Sequence, residues 1–128
     1  MSTLYLKLLV SLALVYGLSA CAPQVKPLYN YEEYSQSYYH SKKNVSAESV
    51  LELQKSIERA IDNLHESRSG RVPPGMYAEL GYLYLKGGNA ESAIENFIKE
   101  KSVYPESTHF MDRIINKVQS AESQDHAQ

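Results

Sequence analysis

Cysteine occurs once in this 128-residue chain, tryptophan not at all, and no basic run is longer than Lys42-Lys43. A lone thiol excludes an internal disulfide and a two-cysteine redox or metal pair. A net charge of −2 with one small basic pair leaves nothing to neutralise a row of phosphates, so nucleic acid is excluded as a partner. The six glycines form no phosphate-cradling loop, and no serine sits in a nucleophile elbow. His40, His65, His109 and His126 are scattered without the spacing of a metal site. Glu95, Glu100 and Glu106 read as solvated surface charges, the usual state of glutamate on a helix. The expectation is therefore a chain with no catalytic residue, no metal and no small-molecule substrate. Tyrosine is the abundant aromatic: eleven are present, and Tyr29, Tyr31, Tyr34, Tyr38 and Tyr39 fall close together.

The only sustained apolar run lies at the start. Lys7 and the terminal amine precede Leu8, Leu9, Val10, Leu12, Ala13, Leu14 and Val15, a stretch too short for a comfortable permanent span. It ends in Leu18-Ser19-Ala20-Cys21, which resembles the lipobox of bacterial lipoproteins. Small side chains suit a signal peptidase, and only a thiol takes diacylglycerol by thioether formation. Residues 1–20 are thus expected to be a signal peptide and Cys21 the lipidated first residue, carrying covalent diacylglycerol and an N-acyl chain and no other cofactor. Several acyl chains hold firmly where one holds weakly, so the chain is anchored to a membrane. Ala22 follows Cys21 where an Asp would resemble an inner-membrane retention signal. That points to the outer membrane, facing the periplasm.

Removing residues 1–20 leaves 108 residues, the size of one domain. Residues 21–28, with two prolines, read as lipid anchor and extended tether, and 29–45 as a tyrosine-rich segment. In a short helix there, Tyr31, Tyr34 and Tyr38 share one face. The spacing predicts a helical domain over 46–120. Ser46 is its first N-cap, and Val50, Leu51, Leu53, Ile57, Ala60, Ile61 and Leu64 trace an apolar stripe ending near Ser67. Further helices are predicted over 74–86, 90–103 and 108–120, separated by Gly87-Gly88-Asn89 and Pro105, with Ser107 as the last cap. Residues 121–128 read as a frayed, disordered tail. The fold class is all-α.

From Pro74 to Ser107 the spacing resembles a tetratricopeptide repeat, a helical hairpin of about 34 residues. Tyr77, Leu80, Gly81, Tyr84, Ala93, Phe97 and Pro105 fill its signature positions. Gly81 and Ala93 are small where the two helices come closest, and the large residues fill the wedge between helices. Glu100 departs from the pattern, standing where the repeat usually has Ala. One repeat buries neither of its own faces, so the helices before and after it must cover it, as in a short α-solenoid.

The chain also resembles a family of proteobacterial lipoproteins with one tetratricopeptide-like repeat. The resemblance rests on Pro27-Leu28-Tyr29-Asn30-Tyr31-Glu32-Glu33-Tyr34 with Tyr38-Tyr39, on Val72 to Tyr84, and on Phe97 to Lys101 with Tyr104-Pro105-Glu106-Ser107 and Phe110 to Arg113. Family members commonly carry Trp-Gly where Tyr31-Glu32 stand here. They tend to be encoded near a CsgG-like lipoprotein, which implies a shared envelope assembly and no known reaction. The expected role is a non-catalytic adaptor that binds a protein partner. Its surface would be Ala78, Tyr82, Leu85 and Lys86, with Tyr31, Tyr34 and Tyr38 as a second patch or as a cover over the first. The alternative is a structural or pilot subunit of an outer-membrane complex with no open groove.

Overall fold

The computed structural model describes residues 3–5, 7 and 25–125. The lipobox and Cys21 lie outside the described residues, as do 126–128. The chain is all-α, and the described residues contain no strand. Helix α1 spans Tyr34–Lys43, α2 Ala47–Asp62, α3 Met76–Lys86, α4 Ala90–Val103 and α5 Thr108–Asp125, with single 3-10 turns at Leu64–Glu66 and Pro105–Ser107. Each helix lies against the next in chain order.

Local chemistry sets the boundaries. At Ser46 the hydroxyl accepts the Ser49 N–H at 3.1 Å while the Ser46 N–H donates to Ser49 Oγ at 3.2 Å, a reciprocal cap that starts α2. Asn89 caps α4 by accepting the Ser92 N–H at 3.0 Å. Helix α2 stops at Asp62, short of the expected Ser67. Ser67 instead turns its hydroxyl back onto the Leu64 carbonyl at 2.6 Å and closes the 3-10 turn. The residues after it hold the start of the folded chain: Arg68 and Ser69 N–H groups donate to the Pro27 and Leu28 carbonyls at 2.8 and 3.1 Å. Pro27 and Leu28 thus belong to the domain rather than to a free tether.

Helix α3 begins at Met76, two residues later than the proline pattern predicts, because Gly75 adopts a left-handed φ of +86°. No Ser107 side-chain cap opens α5. The Ser107 hydroxyl donates to the Tyr104 carbonyl at 2.8 Å, and the 3-10 turn runs straight into the helix. The tail expected from residue 121 is still helical to Asp125.

The core has two apolar clusters. Leu53, Ile57, Ala60, Val72, Met76 and Leu80 form the first, between α2 and α3, and Tyr34, Tyr77 and Tyr84 lean on it. Ala93, Phe97, Met111 and Ile115 form the second, between α4 and α5, with Ala78, Tyr84 and Leu85 alongside. Tyr84 touches both. Leu51, placed on the buried stripe by sequence, is instead about half exposed.

Candidate functional site

The α3–α4 pair is where the fold is tightest. A Cβ on Gly81 would lie 2.7 Å from Phe97 Cε1 and 2.9 Å from the Ala93 carbonyl oxygen. Further toward the start of α3, the Gly75 and Ala78 N–H groups donate to the Glu100 carboxyl at 2.9 and 3.4 Å. Position along α3 rises as position along α4 falls, so the two helices are antiparallel.

Glu100 corrects the sequence reading. It is a buried side chain, 3% exposed, and not a solvated charge. The first N–H groups of a helix have no partner within it and carry partial positive charge. Gly75 offers no side chain to cap them, so a carboxyl reaching across from α4 takes that place. A larger residue thereby serves where the repeat pattern usually has Ala. Nearby, the Tyr104 hydroxyl donates to the Val72 carbonyl at 2.6 Å, and the Arg71 guanidinium lies 4.8 Å from the Tyr104 ring while donating to the Val103 carbonyl. Burial and the neighbouring Tyr29 push the Tyr104 phenol well above its ordinary value.

With α4 fixed to α3 in this way, α5 falls beside α3 and leaves a groove between them. Gly75, Ala78, Glu79, Tyr82, Leu85, Phe97, Phe110, Met111 and Ile114 line one part, of about 240 Å³. A second part of about 640 Å³ continues along Tyr82, Leu85, Ile114, Lys117, Val118 and Ala121. Tyr82, Leu85 and Ile114 belong to both parts, so the two form one apolar channel.

The sequence-predicted residues Ala78, Tyr82 and Leu85 all line this channel. Lys86 lies beside it with its ammonium 5.7 Å from the centre of the Tyr82 ring. Tyr82 is 48% exposed, and no residue of 29–41 is among those lining the channel. The tyrosine-rich segment therefore does not cover it. Tyr34 leans on the α2–α3 core instead, and its phenol is pushed up to about 12, first by burial and then by Glu79. Tyr31 precedes α1 rather than sharing its face, yet the rings are still neighbours at tilted angles: Tyr31 to Tyr34 is 6.4 Å between centres and Tyr34 to Tyr38 is 5.6 Å.

Sequence reasoning missed the second wall of the groove. Phe110 and Ile114 stand in an apolar stripe that reads as core, but Phe110 is 61% exposed. The α5 stripe Phe110, Met111, Ile114, Ile115 and Val118 is wider than one packed face needs, and that width is the signal that points to an open flank. Among the described residues no group of three or more His, Cys, Asp or Glu gathers, and no helix is long and apolar enough to cross a membrane.

Residues 28–114 match the protein family described as "Domain of unknown function (DUF4810)". The chain belongs to the DUF4810 family. The DUF4810 match takes in the tyrosine-rich segment, the buried Glu100 and the groove as far as Ile114. No curated protein and no solved structure matches the chain.

Proposed function

We propose that this chain is a non-catalytic, lipid-anchored adaptor of the cell envelope that holds an apolar segment of a partner protein in the channel between α3 and α5. The observation that carries the reading is the open apolar channel itself, with Tyr82 half exposed at its centre. A rigid ring with an apolar body and a hydroxyl is a favourable anchor, since it offers large contact area and loses little freedom on binding. From Phe110 to Ala121 the α5 wall rises about 16 Å at helical pitch, room for roughly three turns of a bound helix. Spacing like that of a tetratricopeptide repeat over 74–107 supports the same reading, since α5 then stands where the first helix of a next repeat begins. The lipobox-like Leu18 to Cys21 supports outer-membrane anchoring through acyl chains, and the family resemblance makes a CsgG-like lipoprotein the first partner to look for. A pilot subunit with no open groove fits less well, because the channel is uncovered by the tyrosine segment.

The test is photo-crosslinking in living cells from a reactive residue at position 82, with mass spectrometry of what is joined to it. An envelope lipoprotein recovered from the wild-type groove and lost on Ile114→Ser supports the adaptor. No product above background from a chain that remains in the membrane fraction overturns it. Radiolabelled palmitate incorporated into the wild type but not into Cys21→Ser checks the anchor separately.

A further inference from the structure

Of the aromatic residues on helix α1, Tyr34 alone leans on the core, and it is only half-buried. The buried side chains of α1 are Ser37 and Ser41, while Tyr38 and Tyr39 face outward beside Lys42 and Lys43. A helix that only met water on its outer side would do the reverse. Tyr39 is 69% exposed. Tyr29, Tyr31, Tyr34 and Tyr38 form a ladder with successive ring centres 6.5, 6.4 and 5.6 Å apart, and the Lys42 ammonium sits 4.9 Å from the last ring.

No carboxylate lies on α1, and the neighbouring ones are engaged. Glu33 pairs with Arg59 at 3.0 Å, Glu52 with His40 at 3.0 Å, and Glu32 accepts from Asn30 and Asn63. The outward face of α1 therefore presents tyrosine rings and lysine ammoniums and no carboxylate of its own. Val25, 72% exposed, and Leu28 add apolar area at the point where the chain enters the domain.

We propose that this face, Tyr38, Tyr39, Lys42 and Lys43, lies against the headgroup layer of the membrane that holds the chain. The inference rests on the lipid anchor at Cys21. Backbone bonds fix Pro27 and Leu28 to the loop after α2, so residues 22–26 are all the chain that separates the anchor from the domain. Six residue steps reach at most about 21 Å. The domain is held that close to the bilayer, and a weak attraction for the surface suffices because the contact is intramolecular. Tyrosine rings settle at the headgroup level, where one edge is wet and the other apolar, and lysines reach anionic headgroups with their stems along the apolar boundary. The same contact orients the stack of helices, with α1 at the surface and α5, the outer wall of the groove, at the far end.

The chain contains no tryptophan, so Tyr39→Trp provides a single reporter, and Ile98→Trp on α4, also exposed, provides the control. Each lipidated full-length variant is reconstituted in protein-free vesicles of phosphatidylethanolamine and phosphatidylglycerol. Vesicle flotation, emission, iodide quenching and quenching by brominated acyl chains are then measured. The expected result is blue-shifted emission at position 39, several-fold protection from iodide, and quenching by bromolipid, with none of these at position 98. Adding Lys42→Glu and Lys43→Glu should restore iodide access without loss of flotation. Equal iodide access at 39 and 98 on floating vesicles overturns the surface contact and leaves the anchor standing. Protection that appears only in native membranes also overturns it, since a protein then covers the rings. Failure to float overturns both the anchor and the contact.

Discussion

Gly81→Ala is the substitution whose sign separates this fold from a generic helical hairpin. In an open helix interior, replacing Gly by Ala stabilises by roughly 0.5–1 kcal/mol, because the unfolded chain loses freedom and alanine favours the helix. Here the added methyl meets Phe97 Cε1 at 2.7 Å, Phe97 Cδ1 at 2.9 Å and the Ala93 carbonyl oxygen at 2.9 Å. Real methyl contacts are not that short. Phe97 is 1% exposed and has no free direction to move, and the carbonyl belongs to the α4 backbone. Overfilling a well-packed core costs about 1–3 kcal/mol. The steric term exceeds the propensity gain, and a net loss of about 1–2 kcal/mol is expected. In a domain of this size that lowers the Tm by roughly 5–10 °C. Phe97→Leu, itself destabilising, removes the closest of the three contacts, the one to Cε1. In a double-mutant cycle the pair should show a favourable coupling of about 1 kcal/mol, read from urea unfolding followed by circular dichroism. A Tm that rises in Gly81→Ala would refute the close approach of α3 and α4.

Glu100→Ala leaves the Gly75 and Ala78 N–H groups without an acceptor and should destabilise by about 1–3 kcal/mol, with Glu100→Gln costing less because one acceptor oxygen remains. Urea midpoints that rank Gln below Ala would contradict the cap. Tyr104→Phe orphans the Val72 carbonyl and should cost about 1–2 kcal/mol in the same assay, with no loss pointing to another partner for that carbonyl. Burial raises the phenols of Tyr34, to about 12, and of Tyr77 and Tyr104 above the ordinary 10.0. The folded state therefore keeps protons that the unfolded chain gives up, so their contribution is complete below pH 10 and is lost as pH rises toward 12. Thermal melts across that window should fall, and less steeply in Tyr34→Phe; an unchanged slope in that variant would place Tyr34 outside the core.

Local pattern carried a large part of this structure. The helices, the Ser46 and Asn89 caps and the Gly87-Gly88-Asn89 turn follow from side-chain oxygens and glycines acting on their own neighbours. Ala78, Tyr82 and Leu85 were legible as one surface because their spacing places them together on α3 whatever surrounds it. The small residues at 81 and 93 were legible too, because a close helix pair leaves room for nothing else. What needed the tertiary structure were the features joining residues far apart in the chain. Glu100 reads as an exposed acid by composition and becomes a buried cap only because the start of α3 meets the end of α4. Ser67, Pro27 and Leu28 trade an expected helix end and an expected free tether for backbone bonds that no periodicity encodes. Phe110 looks like core until the packing of α5 on α4 buries Met111 and Ile115 and leaves Phe110 on the open flank. Sequence fixed which residues are large, small or polar along each helix. Only the helix pairing decided which of them lost contact with water, because burial depends on what comes from elsewhere to cover a side chain.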